Sequence, residues 1–253
     1  MGDAATRVEK QIVVRAATDS AEFGVCVGLQ QAIWGYSDID TVPDQMFVVA
    51  KKTGGQVLLA FDGERAAGFA LAFVALKESG AYLHSHMVGV QAEYRDRGVG
   101  RLLKLAQRED ALARSIDLIE WTFDPLQLKN ARFNIARLGA IARHYIPNLY
   151  GRTSSPLHAG LPTDRLVAEW WVRSSRVEDA VTNSTTRVIS GQAERIAIPA
   201  DIRLLCQTQP QVAEEVQSGV RVRFEQLIAA GYAATGFELN ENEGVYVLEP
   251  YED

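Results

Sequence analysis

Three arginines and two glycines fall within one short run, Arg95-Asp96-Arg97-Gly98-Val99-Gly100-Arg101. Glycine lets a backbone come close to a ligand with no Cβ in the way. After the run, Leu102, Leu105, Ala106, Leu112 and Ile116 recur at the three- and four-residue intervals of a helix. The first turn of a helix has N–H groups without partners, at the positive end of its aligned peptide dipoles. A di-anion such as a pyrophosphate fits at that point, held by the backbone from Arg97 to Arg101 with arginines beside it. Just upstream stand His84 and His86, two apart in a stretch that reads as a strand, so both side chains share one face. Imidazole titrates near neutral pH and suits the removal of a proton from an amine. A strand histidine also serves as a structural hydrogen-bonder, and both uses stay open for this pair.

These residues need a frame. Tyr82–Val90 is β-branched or aromatic at most inner positions, which predicts a buried strand ahead of the glycine loop. Before it come a strand at Gln11–Ala17, then a helix from Asp19-Ser20 to Gly35 with Glu22 in its first turn. A loop over Tyr36–Pro43 leads to a second helix opened by Pro43-Asp44 and closed by Thr53-Gly54-Gly55. Strands follow at Gln56–Phe61 and Ala67–Leu76, joined by an Asp62-Gly63-Glu64-Arg65 hairpin. Beyond the central helix the pattern predicts a strand over Asp117–Phe123, a helix over Asn130–Leu138 ending at Gly139, and strands over Ala140–Tyr145 and Leu166–Val172. Ser174–Arg187 reads as a polar linker, Gln192–Pro199 as a short strand, Pro210–Ala230 as a long amphipathic helix, and Ala233–Leu239 with Val245–Leu248 as a terminal hairpin. Three consecutive antiparallel strands run into one strand–loop–helix, which is not strict βα alternation. The expected fold class is α+β (mixed α/β): a mixed, mostly antiparallel sheet with helices on both faces and a C-terminal α/β extension. The expected division is 1–173 for the main domain and 174–253 for the extension.

Composition excludes several classes. Of 253 residues, 47% are hydrophobic and 23% charged, so the chain is an ordinary globular one rather than a disordered one. The net charge of −6 argues against nucleic acid as a bulk electrostatic partner. Cys26 and Cys206 are far apart and read as two reduced thiols, and no Cys/His cluster suggests a metal. No apolar run reaches the roughly 20 residues of a membrane span. The N-terminus lacks the apolar core of a secretory signal, and the loose myristoylation match at Met1–Thr6 has no basic or second-lipid support. The expected compartment is the cytoplasm.

The run Arg95-x-x-Gly98-x-Gly100 after Val90-Gln91-Ala92-Glu93-Tyr94, together with the element order from residue 11 to about 173, resembles the GNAT superfamily of acyl-CoA-dependent N-acyltransferases. Neither Gly-x-Gly-x-x-Gly nor a Gly-Lys-Ser/Thr loop is present, so the nucleotide-binding uses of a glycine loop do not fit. The resemblance implies a sheet splayed between its fourth and fifth strands, where acyl-CoA lies. It implies a pyrophosphate held by Arg95, Arg97, Gly98, Val99, Gly100 and Arg101, and a pantetheine arm paired with the strand at Val88 and Val90 as an added strand would be. It does not reach residues 174–253.

N-acyl transfer needs a deprotonated amine, a polarised thioester and a proton for the leaving thiolate. His84 matches the position of the general-base glutamate in the family's histone-modifying members; His86 is nearer the splay and is preferred, and Glu120 on the fifth strand is a further base candidate. The thiolate's acid is usually a tyrosine on the helix after that strand. Matching Leu138-Gly139-Ala140 to the family's Leu-Gly-Phe puts Ile135 there instead. Tyr145, or Tyr150, would then enter from another element, although each also fits a core or rim position. Asn130 and Asn134, four apart on one helical face, are candidates to bond the pantetheine, with capping and solvation as the competing use. Trp34, Tyr36 and Asp38 lie in the loop that borders the acceptor in this family. The expected protein is an N-acyltransferase using acetyl-CoA or another acyl-CoA, succinyl-CoA among them, with Arg132, Arg137 and Arg143 for a second carboxylate. The expected acceptor is a small primary amine such as an amino acid, with no metal, nucleic acid or membrane partner. A non-catalytic acyl-CoA sensor, and a C-terminal part that forms a homodimer or mimics half of a second such core within the chain, are the competing expectations.

Overall fold

The computed structural model describes residues 12–151, 160–182 and 189–251. Met1–Thr6, Gln11 and parts of the 147–164 loop and the 174–187 segment fall outside them. The chain forms two compact units, Met1–Ile116 and Asp117–Asp253.

In the first unit the described strands are β1 (Val13–Ala16), β2 (Gln56–Asp62), β3 (Arg65–Lys77) and β4 (Gly80–Val90), paired antiparallel in that order. The β2–β3 turn is tight, with Asp62 opposite Arg65 and Gly63 at φ 63°. Helix α1 (Ser20–Trp34) starts where the Asp19 carboxylate accepts from the Glu22 N–H at 3.1 Å. Glu22 in turn reaches back to accept from the Thr18 N–H at 2.7 Å, so two end donors are satisfied reciprocally. Gly35, left-handed at φ 67°, ends the helix. Helix α2 (Asp44–Lys52) follows the Pro43 cap. Phe23, Cys26 and Leu29 of α1 and Phe47 and Ala50 of α2 pack on one face of the sheet against Val57, Leu59, Phe69 and Leu71. Each large side chain buried there contributes about 1.5–3 kcal/mol.

The opposite face carries α3 (Val99–Ala113). Three β3 residues, Gly68, Ala70 and Ala72, are small enough to let the helix sit close; a Cβ on Gly68 would lie 3.4 Å from Leu103 Cδ1. The buried stripe of α3 is Val99, Leu103, Lys104, Gln107 and Ala111. That differs from the stripe the leucines predict: Leu102 is exposed, and a lysine and a glutamine face the sheet instead. The left-handed Gly98 sets the helix start.

In the second unit the sheet order is β5 (Leu118–Phe123), β7 (Arg165–Trp171), β6 (Ile141–Ile146), β9 (Tyr232–Leu239), β10 (Glu243–Pro250), β8 (Glu194–Pro199). The pairings are antiparallel. The expected helix at 130–138 is α4 (Leu128–Ala131) running into a π-helical turn, Arg132–Arg137, closed by Leu138 N–H to Phe133 O at 3.0 Å. The expected linker contains α5 (Ser175–Thr182), an eight-residue helix whose own periodicity is too short to announce it. Tertiary contacts hold it: Val177 is buried, and the Arg176 guanidinium donates to the Gly139 carbonyl at 2.9 Å and to the Thr235 carbonyl. Helices α6 (Ile202–Thr208) and α7 (Pro210–Ala229) precede the terminal hairpin. The order β8-α6-α7-β9-β10 echoes β1-α1-α2-β2-β3, but β8 pairs with β10 rather than β9, so the extension is not a second copy of the first half. Its β9 pairs with β6 of the same chain, Ala142 opposite Ala234.

Candidate functional site

The glycine loop lies at the end of β4. A single 3₁₀ turn, Ala92–Tyr94, leads into it, and Arg95, Asp96, Arg97 and Gly98 are exposed. Asp96 and Gly98 take left-handed φ values of 58° and 81°. Two such residues in four turn the backbone so that α3 opens at Val99, with the first-turn N–H groups at the exposed end. At Gly98 the conformation favours glycine, although a Cβ would meet nothing within 4 Å. Gly100 has an ordinary φ, and its Cβ would sit 3.8 Å from Val90 Cγ2. The arginines divide their work. Arg95 turns back onto the frame, donating to Val90 O and Ile33 O at 3.4 Å each, and so ties the loop to β4 and α1. Arg97 stacks over the Tyr94 ring at 5.1 Å, and Tyr94 donates to Asp62 at 3.1 Å. Val88 and Val90 pack toward α3 with Ala70, Tyr94, Val99 and Leu103.

The histidines stand on the opposite face of β4, and a bulge puts them there. Leu71 pairs with Met87 and Ala72 with Ser85, so His86 is an extra residue with no counterpart on β3. His84 is opposite Phe73; the His86 ring meets Phe73 edge-on at 5.8 Å and lies 6.3 Å from the His84 ring. The shared face predicted from the two-residue spacing therefore holds, in a strand whose alternation changes at that residue. Trp34, stacked on Tyr36 at 5.3 Å, lies over the same face where Gly89 leaves room. Burial, and then the nearby Lys104 charge, lowers the His84 pKa below its ordinary 6.5. Partial burial, and then His84, lowers that of His86, although the residue is exposed overall and solvent weakens the effect. Both shifts favour the neutral imidazole, the form able to accept a proton.

Ser85, between the two histidines, points to α3. It donates to Gln107 Oε1 at 3.0 Å and accepts from Lys104 Nζ at 3.3 Å. Burial drives the Lys104 pKa well below 10.5. The leucine-based helix stripe hid Lys104 and Gln107, which the packing of α3 on the sheet turns inward.

The remaining candidates belong to the second unit. Glu120 is buried on β5, directly opposite Glu169 of β7. Arg143 holds Glu169 through Nε at 3.0 and 3.1 Å, so this guanidinium is committed to a protein carboxylate. Arg132 and Arg137 are exposed. Tyr145 donates to the fully buried Asp164 at 2.7 Å; burial first, and then Asp164, push its pKa up, so the hydroxyl keeps its proton. Tyr150 is exposed and 3.2 Å from the Thr122 hydroxyl. Ile135 is buried. Asn130 and Asn134 do not share a face: Asn130 is exposed and donates to Gln127 at 3.0 Å, while Asn134 is buried. The wider π turn rotates Asn134 away from its α-helical position. Among the described residues no group of His, Cys, Asp or Glu could hold a metal ion, and no helix is long and apolar enough to cross a membrane.

No family model and no curated protein sequence matches the chain. Solved structures do match. The ribosomal-protein-S18-alanine N-acetyltransferase of Escherichia coli superposes with a TM-score of 0.53 at 12% identity, covering 65% of this chain and 96% of its own. Arabidopsis thaliana NAA60, solved with acetyl-CoA, gives 0.52 at 13% identity over 64% of this chain and 99% of its own. A Desulfovibrio desulfuricans protein assigned to the GNAT acetyltransferase family gives 0.51 at 14%, with coverage of 64% and 99%. The chain has the GNAT fold, with the mixed α/β architecture expected from its sequence. At these identities the likeness is one of fold.

Proposed function

We propose that the protein is an acyl-CoA-dependent N-acyltransferase that moves an acetyl group to the primary amine of a small molecule such as an amino acid. One observation carries this: the arginine–glycine loop that opens α3 directly after β4, in a chain with the GNAT fold. In this reading the first-turn N–H groups of α3, with Arg97 and Arg101 nearby, take the donor's pyrophosphate. The pantetheine arm runs along the β4 backbone beside Val88 and Val90. The core is the part up to residue 173, and residues 174–253 support it.

His86, or His84 beside it, accepts a proton from the acceptor's ammonium group. The freed amine nitrogen attacks the thioester carbonyl carbon; as the C–N bond forms and the C–S bond breaks, the nitrogen sheds its second proton. The leaving thiolate, of a thiol with an ordinary pKa near 8.5, takes up that proton through water. Tyr145 is not assigned the acid's role, because Asp164 holds its hydroxyl. Glu120 remains a second base candidate. Arg143, held by Glu169, gives no support to a succinyl donor, so acetyl-CoA is the proposed donor.

A second reading keeps the fold without the chemistry. Ile135 occupies the place the family resemblance gives to the acid tyrosine, which favours a non-catalytic acyl-CoA sensor. Thiol release from acetyl-CoA and succinyl-CoA, measured over a panel of amines beside calorimetric acyl-CoA binding, separates the two. Amine-dependent release is the expected result. Tight binding with no amine accelerating release would establish the sensor, and no binding at all would sink both.

A further inference from the structure

The interface between α3 and the sheet changes character along its length. At the loop end it is apolar: Val99 and Leu103 meet Leu58, Ala70, Val88 and Val90. At the other end it is polar. Gln56, Ala72 and Ser85 lie side by side across β2, β3 and β4, as the pairs Gln56 with Ala72 and Ala72 with Ser85 show. Gln107 takes a bond from Ser85 at 3.0 Å, while the Gln56 amide donates to the Gln107 carbonyl at 3.0 Å and to Asp110 at 2.7 Å. Gln56, Ser85, Lys104 and Gln107 are all buried. The change from apolar to polar falls at the bulge: Val88 is on one side of His86 and Ser85 on the other.

We propose that this buried row fixes the bulge at His86, which makes Ser85 and Gln107 positioning residues for the two imidazoles; the inference rests on the transferase reading above. A bulge is defined only by which residue is left over, and moving it by a residue or two swaps faces. If the extra residue moved to position 84, Ser85 would fall opposite Phe73 and His86 opposite Ala72. His86 would then face α3, and Ser85 would lose both of its bonds. The hydrogen bonds of Ser85 to Gln107 and Lys104 form only in the observed register. Stability alone does not account for the row. Gln56 Oε1 and Gln107 Nε2 are buried with no hydrogen-bond partner among the described residues, and an orphaned polar atom is destabilising. Apolar residues of similar size would fill the same space without that cost. Fixing a register is the best-attested use of a buried polar group that stability does not need.

The test compares Ser85→Ala, Ser85→Ala/Gln107→Leu and Ser85→Thr with the wild type. The readouts are kcat, the KM for acetyl-CoA, the thermal midpoint and the imidazole proton signals of His84 and His86. In the first two variants kcat should fall about tenfold or more, since a misplaced reacting group costs up to ~10²-fold. The acetyl-CoA KM should stay within about twofold, because the glycine loop is untouched. The double variant should melt close to the wild-type midpoint, because removing the orphaned Gln107 amide offsets the loss of the Lys104 acceptor, and its His86 signals should move or double. Ser85→Thr, which keeps the hydroxyl, should restore kcat. Unchanged kcat and imidazole signals would overturn the proposal, as would a loss of kcat that merely follows a lowered midpoint. If the wild type acylates no amine, the transferase reading fails by itself, and the imidazole signals alone decide the positioning role.

Discussion

Arg221→Met tests how firmly the C-terminal extension is built into the second unit. Asp164 is fully buried at the start of β7. Its carboxylate accepts from Arg221 Nε at 2.8 Å and from the second guanidinium nitrogen at 2.9 Å, with Tyr145 and the Asn148 N–H as its other donors at 2.7 and 2.9 Å. Removing one partner of a buried ion pair costs about 3–5 kcal/mol, because the other charge is left without compensation. Here two neutral donors remain, and the Arg221 side chain is 29% exposed, so water reaches part of the gap. Both facts move the expected cost to about 2–4 kcal/mol, a shift of roughly 5–15 °C in the midpoint for a chain of this size. Urea and thermal unfolding of Arg221→Met, Asp164→Asn and the double variant would measure it. Asn keeps the shape and the acceptor for Tyr145 but removes the charge, so Arg221→Met in that background should cost about 1 kcal/mol or less, leaving about 2 kcal/mol of coupling. Additivity within about 0.5 kcal/mol, or a single-variant cost under about 1 kcal/mol, would refute the reasoning.

Four further outcomes follow from the first unit. Gly98→Ala puts a side chain into left-handed backbone at a cost of about 1–2 kcal/mol, so acetyl-CoA affinity should drop roughly tenfold by calorimetry while the fold persists. If His86 is the base, His86→Gln should lower kcat by about 10²-fold or more at saturating acyl-CoA, and a loss under twofold would transfer the role to His84 or Glu120. The wild-type rate should then show no imidazole titration at pH 7 and fall only as pH drops below the ordinary histidine value of 6.5, because burial, Lys104 and the paired imidazole all favour the neutral ring. Arg15 and the Thr18 N–H hold the Glu22 carboxyl at a pKa of about 2 against an ordinary 4.5. A depressed acid stabilises the fold above its unfolded pKa, so that contribution should be present above pH 4.5 and disappear as pH falls toward 2. Glu22→Gln should flatten that part of the stability–pH curve, and an unchanged slope would show that the cap is not coupled to folding.

The elements that hold the glycine loop were legible because each carries a local signal. Asp19 with Glu22, Pro43 before α2, Asp62-Gly63 in the hairpin and Gly98 before α3 are choices of backbone chemistry that act within a few residues. The long helix at 210–229 and the hairpin after it were legible for the same reason. Helix α5 was not, since eight residues hold too little periodicity and its anchors, Gly139 and Thr235, are distant in sequence. The π turn after Ala131 was not, because a single i→i+5 closure has no composition signal, yet it separates Asn130 from Asn134.

At the candidate site the sequence by itself determined the glycine loop and the two histidines, through residue type and spacing that constrain the backbone directly. Only the tertiary structure decided what each group is free to do. Asp164 holds the Tyr145 hydroxyl, and Glu169 holds the Arg143 guanidinium. The register of β3 against β4 made His86 the extra residue, and the buried face of α3 brought Lys104 and Gln107 behind it. Those outcomes depend on pairings between strands and helices far apart in the chain, and a spacing rule read along one segment carries no information about them.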